Sequence, residues 1–126
     1  MGKAKILYIE DNFDNMTLVQ RVLEIEGYEV IPADTGKAGL ALAIANKPDI
    51  IITDINLPDI DGYQITDALK RDAATAHIPI IAMTANVMKK DRENVIQAGC
   101  DGFISKPIDV DELPGQIENF LKGAYS

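Results

Sequence analysis

The feature that most constrains this chain is the segment Asp49–Asp54, in which three isoleucines and a threonine lie between two aspartates. A continuous apolar run of this length is typical of a strand that is buried on both faces of a parallel sheet. The segment 55–62 contains a proline and a glycine and is therefore predicted to be a loop. Asp54 should then lie at the carboxyl end of a central strand, which is the edge at which open α/β sheets bind ligands.

Five short apolar runs recur along the 126-residue chain and alternate with segments of helical spacing. This alternation predicts a doubly wound α/β fold, in which helices cover a five-stranded parallel sheet. The length is typical of one domain, so residues 1–126 are predicted to form a single domain with no room for an output domain. The predicted strands are residues 4–9, 28–33, 50–53, 78–84 and 103–105.

Local signals predict the limits of the first elements. Asp11 or Asn12 can cap the first helix, and Gly27 can end it. Pro32 indicates that the second strand is an edge strand or ends at that point. The first helix is predicted from three apolar residues at three- and four-residue steps, which are Leu18, Val22 and Ile25.

Later helices are predicted over residues 36–46, 62–72 and 87–97 and in the last segment of the chain. Pro114 cannot occupy a helix interior without the loss of a backbone hydrogen bond. The last helix is therefore expected to begin near Asp111 or to follow a distorted turn. The residues expected to face the core are Ile65, Ala68 and Leu69 in the 62–72 helix and Ile117, Phe120 and Leu121 in the last helix.

Charge and composition exclude several functional classes. Twelve basic and twenty acidic residues give a formal net charge of -8, which disfavours binding to nucleic acid or to an anionic membrane surface. The apolar runs are too short to span a bilayer and the N-terminus lacks a signal peptide, so a cytoplasmic protein is expected. Cys100 is the only cysteine, which excludes an internal disulfide and favours a buried apolar role.

Acidic residues stand at the ends of two predicted strands, with Glu10 and Asp11 after the first and Asp54 at the end of the third. Right-handed crossovers bring the carboxyl ends of parallel strands to one edge of the sheet. In the doubly wound strand order 2-1-3-4-5 the first and third strands are neighbours, so these carboxylates would face one another. Because carboxylates at short range repel one another, a hard divalent cation such as Mg²⁺ is expected among them.

Two further strand ends supply complementary groups. Lys106 follows the fifth strand with an ammonium group, and Thr84 ends the fourth strand with a hydroxyl group. Each residue alone is equally well explained as a turn, a helix cap or a solvated charge. Together, a carboxylate nucleophile, a metal site, a hydroxyl and an ammonium group are typical of a phosphoryl-transfer site, with Asp54 as the nucleophile.

These segments resemble the receiver domains of two-component response regulators. The similarity runs from Lys5–Asn12 through Thr53–Gly62 and Met83–Ala85 to Ser105–Pro107, and so covers essentially the whole chain. It implies a flavodoxin-like (βα)₅ fold with the strand order 2-1-3-4-5. The segment Glu10–Asn15 is similar to the start of the single-domain DivK-type regulators.

The resemblance also implies roles for the acidic residues and the lysine. Asp54 would accept the phosphoryl group. Asp11 and Asp54 would bind Mg²⁺ directly, the backbone carbonyl of Asn56 would complete the protein ligands, and Glu10 would act through water. Lys106 would pair with the phosphoryl group.

Other residues are implied in switching and in the lifetime of the phosphoryl group. Thr84 would bind the phosphoryl group in the active state. Phe103 is the aromatic residue that would turn inward on activation, and an ordinary core side chain explains its position equally well. Asn56 and Asn86 occupy the positions that tune the rate of hydrolysis. The peptide bond Lys106–Pro107 would be cis.

The resemblance implies that the phosphoryl donor is a histidine of another protein, either a histidine kinase or a histidine phosphotransfer protein. The chain's only histidine, His77, is expected in a surface loop and is therefore not a candidate for the donor. The domain would catalyse only its own phosphorylation and dephosphorylation and would otherwise not be an enzyme. A downstream protein would bind a face formed by the helix 87–97, the fifth strand and the last helix. Phe13 and Met16 are candidates for docking the donor, with core packing as the favoured explanation.

Other classes of protein share parts of this pattern. The chain could be a receiver domain excised from a hybrid histidine kinase, which often shares the same start. A flavodoxin-like domain that binds a small molecule would share the fold, but the acidic segment 10–14 would repel a phosphate group that lacks its metal. An EF-hand calcium loop is excluded, since Pro58 and Ala68 occupy positions that require oxygen ligands.

Overall fold

The computed structural model describes residues 4–55, 57–60, 62–84 and 99–122, which form one parallel sheet with helices packed against it. The strands are β1 (Lys5–Ile9), β2 (Glu29–Ala33), β3 (Ile50–Asp54), β4 (Ile80–Thr84) and β5 (Gly102–Ser105). The helices of the described ranges are α1 (Phe13–Ile25), α2 (Gly36–Asn46), α3 (Gly62–Arg71) and α4 (Leu113–Leu121). The helix predicted over 87–97 lies outside the described residues.

The strands are hydrogen-bonded in the order β2-β1-β3-β4-β5, so the predicted fold class and strand order are confirmed. β1 and β3 are direct neighbours, with Ile9 opposite Thr53. This register brings Glu10, the residue after β1, next to Asp54 at the end of β3. β2 is an edge strand, as Pro32 indicated.

The core consists of two apolar layers, one on each face of the sheet. Alternate residues of a strand point to opposite faces, so each strand contributes to both layers. All five residues of β3 are buried, in accordance with its isoleucine run. The layer beneath α1 and α4 includes Ile6, Tyr8, Ile52, Val19, Leu23, Ile117 and Phe120. The opposite layer, beneath α2 and α3, includes Leu7, Ile9, Ile51, Ala43, Ile65 and Leu69.

Of the three apolar residues whose spacing predicted α1, only Val22 packs against the core. Val19 and Leu23 are fully buried, whereas Leu18 is 43% exposed and Ile25 is 78% exposed. The pair Val19 and Leu23 and the pair Leu18 and Ile25 both have helical spacing. The spacing therefore predicted the helix correctly but could not indicate which of its two apolar faces is buried. Asn12 caps α1 as predicted, because its side-chain oxygen accepts a hydrogen bond from a backbone amide of the first turn.

The core-facing set predicted for α3 needs one correction. Ile65 and Leu69 are buried as expected, but Ala68 is exposed. Thr66 is buried in its place, with its hydroxyl 3.2 Å from the sulfur of Cys100. Cys100 is buried, as the sequence indicated.

The last helix follows a distorted turn, which was one of the two expectations raised by Pro114. The Asp109 side chain accepts a hydrogen bond from the amide of Asp111 at 3.0 Å, and α4 then begins at Leu113 with Pro114 in its first turn. A proline is tolerated there because the first amides of a helix have no partner within it. Among the described residues, no helix has the length and apolar character needed to cross a bilayer.

Candidate functional site

Residues at the carboxyl ends of β1, β3 and β5 surround a cleft of about 510 Å³. The sequence predicted four of these residues as members of one site. The full lining consists of Glu10, Asp11, Asn12, Phe13, Asn15, Asp54 and Lys106.

The three predicted carboxylates lie together in this cleft. Glu10, Asp11 and Asp54 each offer an oxygen atom, and these atoms lie within 4.8 Å of one another. Glu10 and Asp54 are buried, with 1% and 5% exposure, whereas Asp11 is exposed. Oxygen donors in such a cluster, open to water on one side, suit a hard divalent cation that keeps part of its hydration shell.

The ammonium group of Lys106 binds two of the carboxylates. Its nitrogen donates to Oδ2 of Asp54 at 2.8 Å and to Oε1 of Glu10 at 3.0 Å. Three carboxylates and one ammonium group give the cluster a formal charge of -2. The lysine thus compensates only part of the negative charge, and the remainder fits a divalent cation.

The pKa values of the buried pair reflect this crowding. Burial and contact with Asp54 raise the pKa of Glu10, although Lys106 opposes the shift. Burial alone would lower the pKa of Lys106, but its hydrogen bonds to Asp54 and Glu10 outweigh that effect and raise it. Lys106 therefore stays protonated at neutral pH and acts as a fixed positive charge.

Two side chains that the sequence reasoning did not assign to the site also hold Glu10. The Tyr8 hydroxyl donates to Oε1 at 3.0 Å, and the Asn15 side-chain amide lies 3.5 Å from the same atom. Tyr8 is the one aromatic residue of a strand that is otherwise lysine and aliphatic, two positions before Glu10. That pattern was the available signal, because residues two apart on a strand share a face.

Thr84 and Lys106 are joined through the backbone. Thr84 is the last residue of β4 and is buried, and its carbonyl accepts a hydrogen bond from the amide of Lys106 at 2.8 Å. The peptide bond Lys106–Pro107 is cis, as the resemblance implied. The two predicted phosphoryl-binding residues therefore occupy adjacent strand ends.

The remaining predicted residues fall into two groups. Phe103 is partly buried and packs against the layer beneath α2 and α3. Asn56 and Asn86, expected to tune hydrolysis, lie outside the described residues, as does the proposed carbonyl ligand of Asn56. His77 is exposed, as expected.

A parallel sheet of order 2-1-3-4-5 with three carboxylates and a lysine at its carboxyl edge defines a receiver-type phosphoacceptor architecture. Residues 6–118 match the family described as the response regulator receiver domain. The chain belongs to this family, and a phosphoacceptor role in two-component signalling follows from that membership.

Individual relatives agree with this assignment. The chain is 42% identical over 119 residues to the polar-differentiation response regulator DivK of Brucella anthropi, a match that covers 94% of this chain and 97% of the relative. The chemotaxis response regulator CheY4 of Vibrio cholerae has a TM-score of 0.88 at 27% identity, covering 92% of this chain and 97% of that one.

A third relative is the receiver domain of the sensor histidine kinase PA1611 from Pseudomonas aeruginosa, described with a magnesium ion coordinated in its active-site cleft. Its TM-score is 0.87 at 34% identity, and the match covers 94% of this chain and 98% of that one. Taken together, the similarities favour neither the flavin-binding alternative nor the hybrid-kinase alternative.

Proposed function

We propose that Asp54 accepts a phosphoryl group from a phosphohistidine donor in a reaction that requires Mg²⁺. The observation that carries this proposal is the convergence of Lys106 and two further carboxylates on the buried Asp54 at one edge of the sheet. If Glu10 and Asp11 were absent, the pair of Asp54 and Lys106 would be explained fully as a structural ion pair. The excess of negative charge at this position favours the binding of a cation. Asp54 also lines an open cleft, so a phosphodonor can reach it.

Asp11 and Asp54 would hold the ion directly and Glu10 through water, as the resemblance to receiver domains implies. The oxygen atoms of the three residues lie within 4.8 Å of one another, which supports a shared ion. When bound, Mg²⁺ would neutralise negative charge that develops on the phosphoryl oxygens. The magnesium in the PA1611 receiver domain supports this proposal. The candidate metal ligands of these three residues are all carboxylate oxygens, which disfavours metals that prefer sulfur or imidazole ligands.

In the proposed reaction a carboxylate oxygen of Asp54 attacks phosphorus in line with the leaving imidazole nitrogen. The phosphorus–nitrogen bond breaks, the new phosphorus–oxygen bond forms, and the imidazole leaves with the bonding electron pair and takes up a proton. Lys106 already lies 2.8 Å from Asp54, so its charge is in place for the phosphoryl oxygens. The product is a mixed anhydride that water later hydrolyses.

The phosphoryl group would then act as a switch. It adds about -1.5 to -2 charges to a cleft that is already acidic. Thr84 and Lys106 would be drawn toward it, and their shared backbone hydrogen bond would couple movement at the ends of β4 and β5. We propose that the downstream partner binds the face formed by β5, α4 and the helix predicted over 87–97.

Phe13 is well placed to contact the donor. It is 79% exposed and lines the cleft, which contradicts the favoured explanation of core packing, whereas Met16 packs against the core as that explanation held. An exposed aromatic side chain beside a reactive group is a natural anchor for a protein partner. We propose that this donor is a histidine kinase or a histidine phosphotransfer protein, and that the protein acts in the cytoplasm.

Phosphorylation with acetyl phosphate, followed by intact-mass measurement, tests the proposal. The wild type should gain one phosphoryl group in the presence of Mg²⁺ and none after chelation, and Asp54→Asn should gain none. Asp14→Asn, which changes an exposed aspartate in the first turn of α1, is the matched control and should behave as the wild type. An adduct of equal size on Asp54→Asn would refute the assignment.

The docking role of Phe13 can be separated from the chemistry. Phe13→Ala should slow transfer from a phosphorylated histidine phosphotransfer protein but leave the reaction with acetyl phosphate unchanged. Ile25→Ala is the control, because Ile25 lies at the other end of α1 with nearly equal exposure, 78%. Equal effects of the two substitutions on the protein donor would contradict docking at Phe13.

A further inference from the structure

Tyr8 lies beneath the carboxylate cluster and is completely buried. Its hydroxyl group has two neighbours, Oε1 of Glu10 at 3.0 Å and the sulfur of Met83 at 3.5 Å. A phenol carries one proton and can donate it to one acceptor at a time. A carboxylate oxygen is a much stronger acceptor than a thioether sulfur, so the proton is directed to Glu10.

The position of this hydroxyl group is fixed by the core. The Tyr8 ring belongs to the apolar layer beneath α1 and α4, where it packs among side chains such as Ile6, Ile52 and Met83. Glu10 directly follows β1 and is two residues after Tyr8, so the two side chains point to the same face of the sheet. A close-packed interior allows such a ring little freedom. The hydroxyl group therefore presents a rigid donor to Glu10.

The hydrogen bonds divide the two oxygens of Glu10 into different environments. Oε1 accepts from the Tyr8 hydroxyl and from the Lys106 ammonium group, each at 3.0 Å, and from the Asn15 side-chain amide at 3.5 Å. Oε2 accepts from the backbone amide of Asn12 at 3.3 Å. Because Tyr8, Lys106 and Asn15 all donate to Oε1, Oε2 retains more acceptor capacity for a water molecule bound to a cation.

We propose that Tyr8 is a positioning residue for the cation site, and that its hydroxyl group holds Glu10 in the orientation that favours Mg²⁺ binding. This inference rests on the proposed function, since it assigns to Glu10 a share in binding Mg²⁺. It adds a residue from the core to a site otherwise built from strand ends. The hydroxyl acts through Glu10 and does not touch the phosphoryl group.

The substitution Tyr8→Phe removes the hydroxyl group and keeps the ring in the core. Partners that orient metal-binding groups typically contribute 10- to 100-fold to metal affinity, and we expect a weakening of about 10-fold here because Glu10 acts through water. The maximal rate of phosphorylation at saturating Mg²⁺ should stay near the wild-type value. A general loss of structure would instead lower the maximal rate as well.

Two control variants separate this role from packing. Tyr28→Phe removes a hydroxyl group from another buried tyrosine of the same apolar layer, at the opposite end of the sheet. Met83→Leu removes the alternative acceptor with little change in volume. Both variants should bind Mg²⁺ as the wild type does. Thermal unfolding without Mg²⁺ establishes that each variant is folded.

The deciding experiment is an equilibrium Mg²⁺ titration, followed by amide NMR, of wild type, Tyr8→Phe, Glu10→Gln and the double variant. If Tyr8 acts through Glu10, Tyr8→Phe should weaken binding about 10-fold in the wild-type background and have no further effect in the Glu10→Gln background. Equal affinities of wild type and Tyr8→Phe, or equal losses in both backgrounds, would overturn the inference. Absence of Mg²⁺ binding to the wild type would instead refute the proposed function itself.

Discussion

The ammonium group of Lys106 lies 2.8 Å from Oδ2 of Asp54, although the two residues are 52 positions apart in the sequence. The same nitrogen lies 3.0 Å from Oε1 of Glu10, so one cation joins the ends of β1, β3 and β5. Both carboxylates are buried and so are poorly screened by solvent. Lys106 therefore makes a cluster of like charges compatible with folding, and in the proposed reaction it would also provide the positive charge for phosphoryl transfer.

Replacement of Lys106 should separate metal binding from catalysis. In Lys106→Met the cluster loses a positive charge, so the affinity for Mg²⁺ should not fall. The rate of phosphorylation by acetyl phosphate at saturating Mg²⁺ should fall about 10²- to 10³-fold, as is typical when one electrostatic contact to a transition state is removed. Mg²⁺ titration and intact-mass kinetics give the two quantities.

Lys37→Met is the matched control for this prediction, because Lys37 is exposed at the start of α2 and does not line the cleft. It should leave the affinity and the rate unchanged. A parallel loss of both quantities in Lys106→Met would indicate that the lysine serves only to maintain the structure.

Asp59 should make the stability of the fold depend on pH. Its two carboxylate oxygens accept hydrogen bonds from the amides of Gly36 and Lys37 at 2.9 Å, and these bonds join the loop after β3 to the start of α2. These hydrogen bonds lower the pKa of Asp59 below its ordinary value of 3.8, with the larger effect from the Lys37 amide and the next from the Gly36 amide. The ionised form is thus favoured in the folded state.

A lowered carboxyl pKa stabilises the fold above the pKa of the unfolded chain, and this contribution is lost as the pH falls through the folded value. Asp59→Asn should therefore lower the urea midpoint at neutral pH, and the difference from wild type should shrink as the pH falls below 3.8. Asp34→Asn, at another exposed aspartate, is the control. A difference that does not vary with pH would contradict this role.

Two glycines should respond to alanine in opposite directions. Gly39 of α2 lies against the side chain of Ile9, and a methyl group there would overlap Ile9 atoms. Gly39→Ala should therefore destabilise the fold by about 1–3 kcal/mol, the usual effect of overpacking. Gly115, in the exposed part of α4, has nothing within 4 Å of the added atom. Gly115→Ala should stabilise by about 0.5–1 kcal/mol, since alanine is the better helix former. Urea denaturation measures both changes, and the same sign for both would contradict this packing.

The sequence was most informative where burial and chemistry coincide. The isoleucine run of β3 predicted both a fully buried strand and the place of Asp54, because a run without polar interruption cannot form a half-exposed strand. The acidic pair after β1 and the lysine after β5 were predicted to join Asp54, and the structure brings them together. Parallel strands with regular crossovers leave few other arrangements of these ends.

The sequence was least informative where several packings share one pattern. The apolar spacing in α1 fitted two faces, and only the tertiary contacts selected Val19 and Leu23 over Leu18 and Ile25. Tyr8 lies within an apolar strand, and its contact with Glu10 depends on the detailed packing of the core. Exposure of Phe13 likewise depends on how α1 docks on the sheet, which its own helical period does not determine.

The chemical identity of the phosphorylated residue is the most direct test of the central claim. After reaction with acetyl phosphate and Mg²⁺, borohydride reduces an aspartyl phosphate to homoserine, which peptide mass spectrometry can place in the sequence. We predict homoserine at position 54 alone, formed in wild type and absent after omission of Mg²⁺. Reduction at Asp11 or at any other carboxylate, with Asp54 unchanged, would contradict the assignment of Asp54 as the phosphoacceptor.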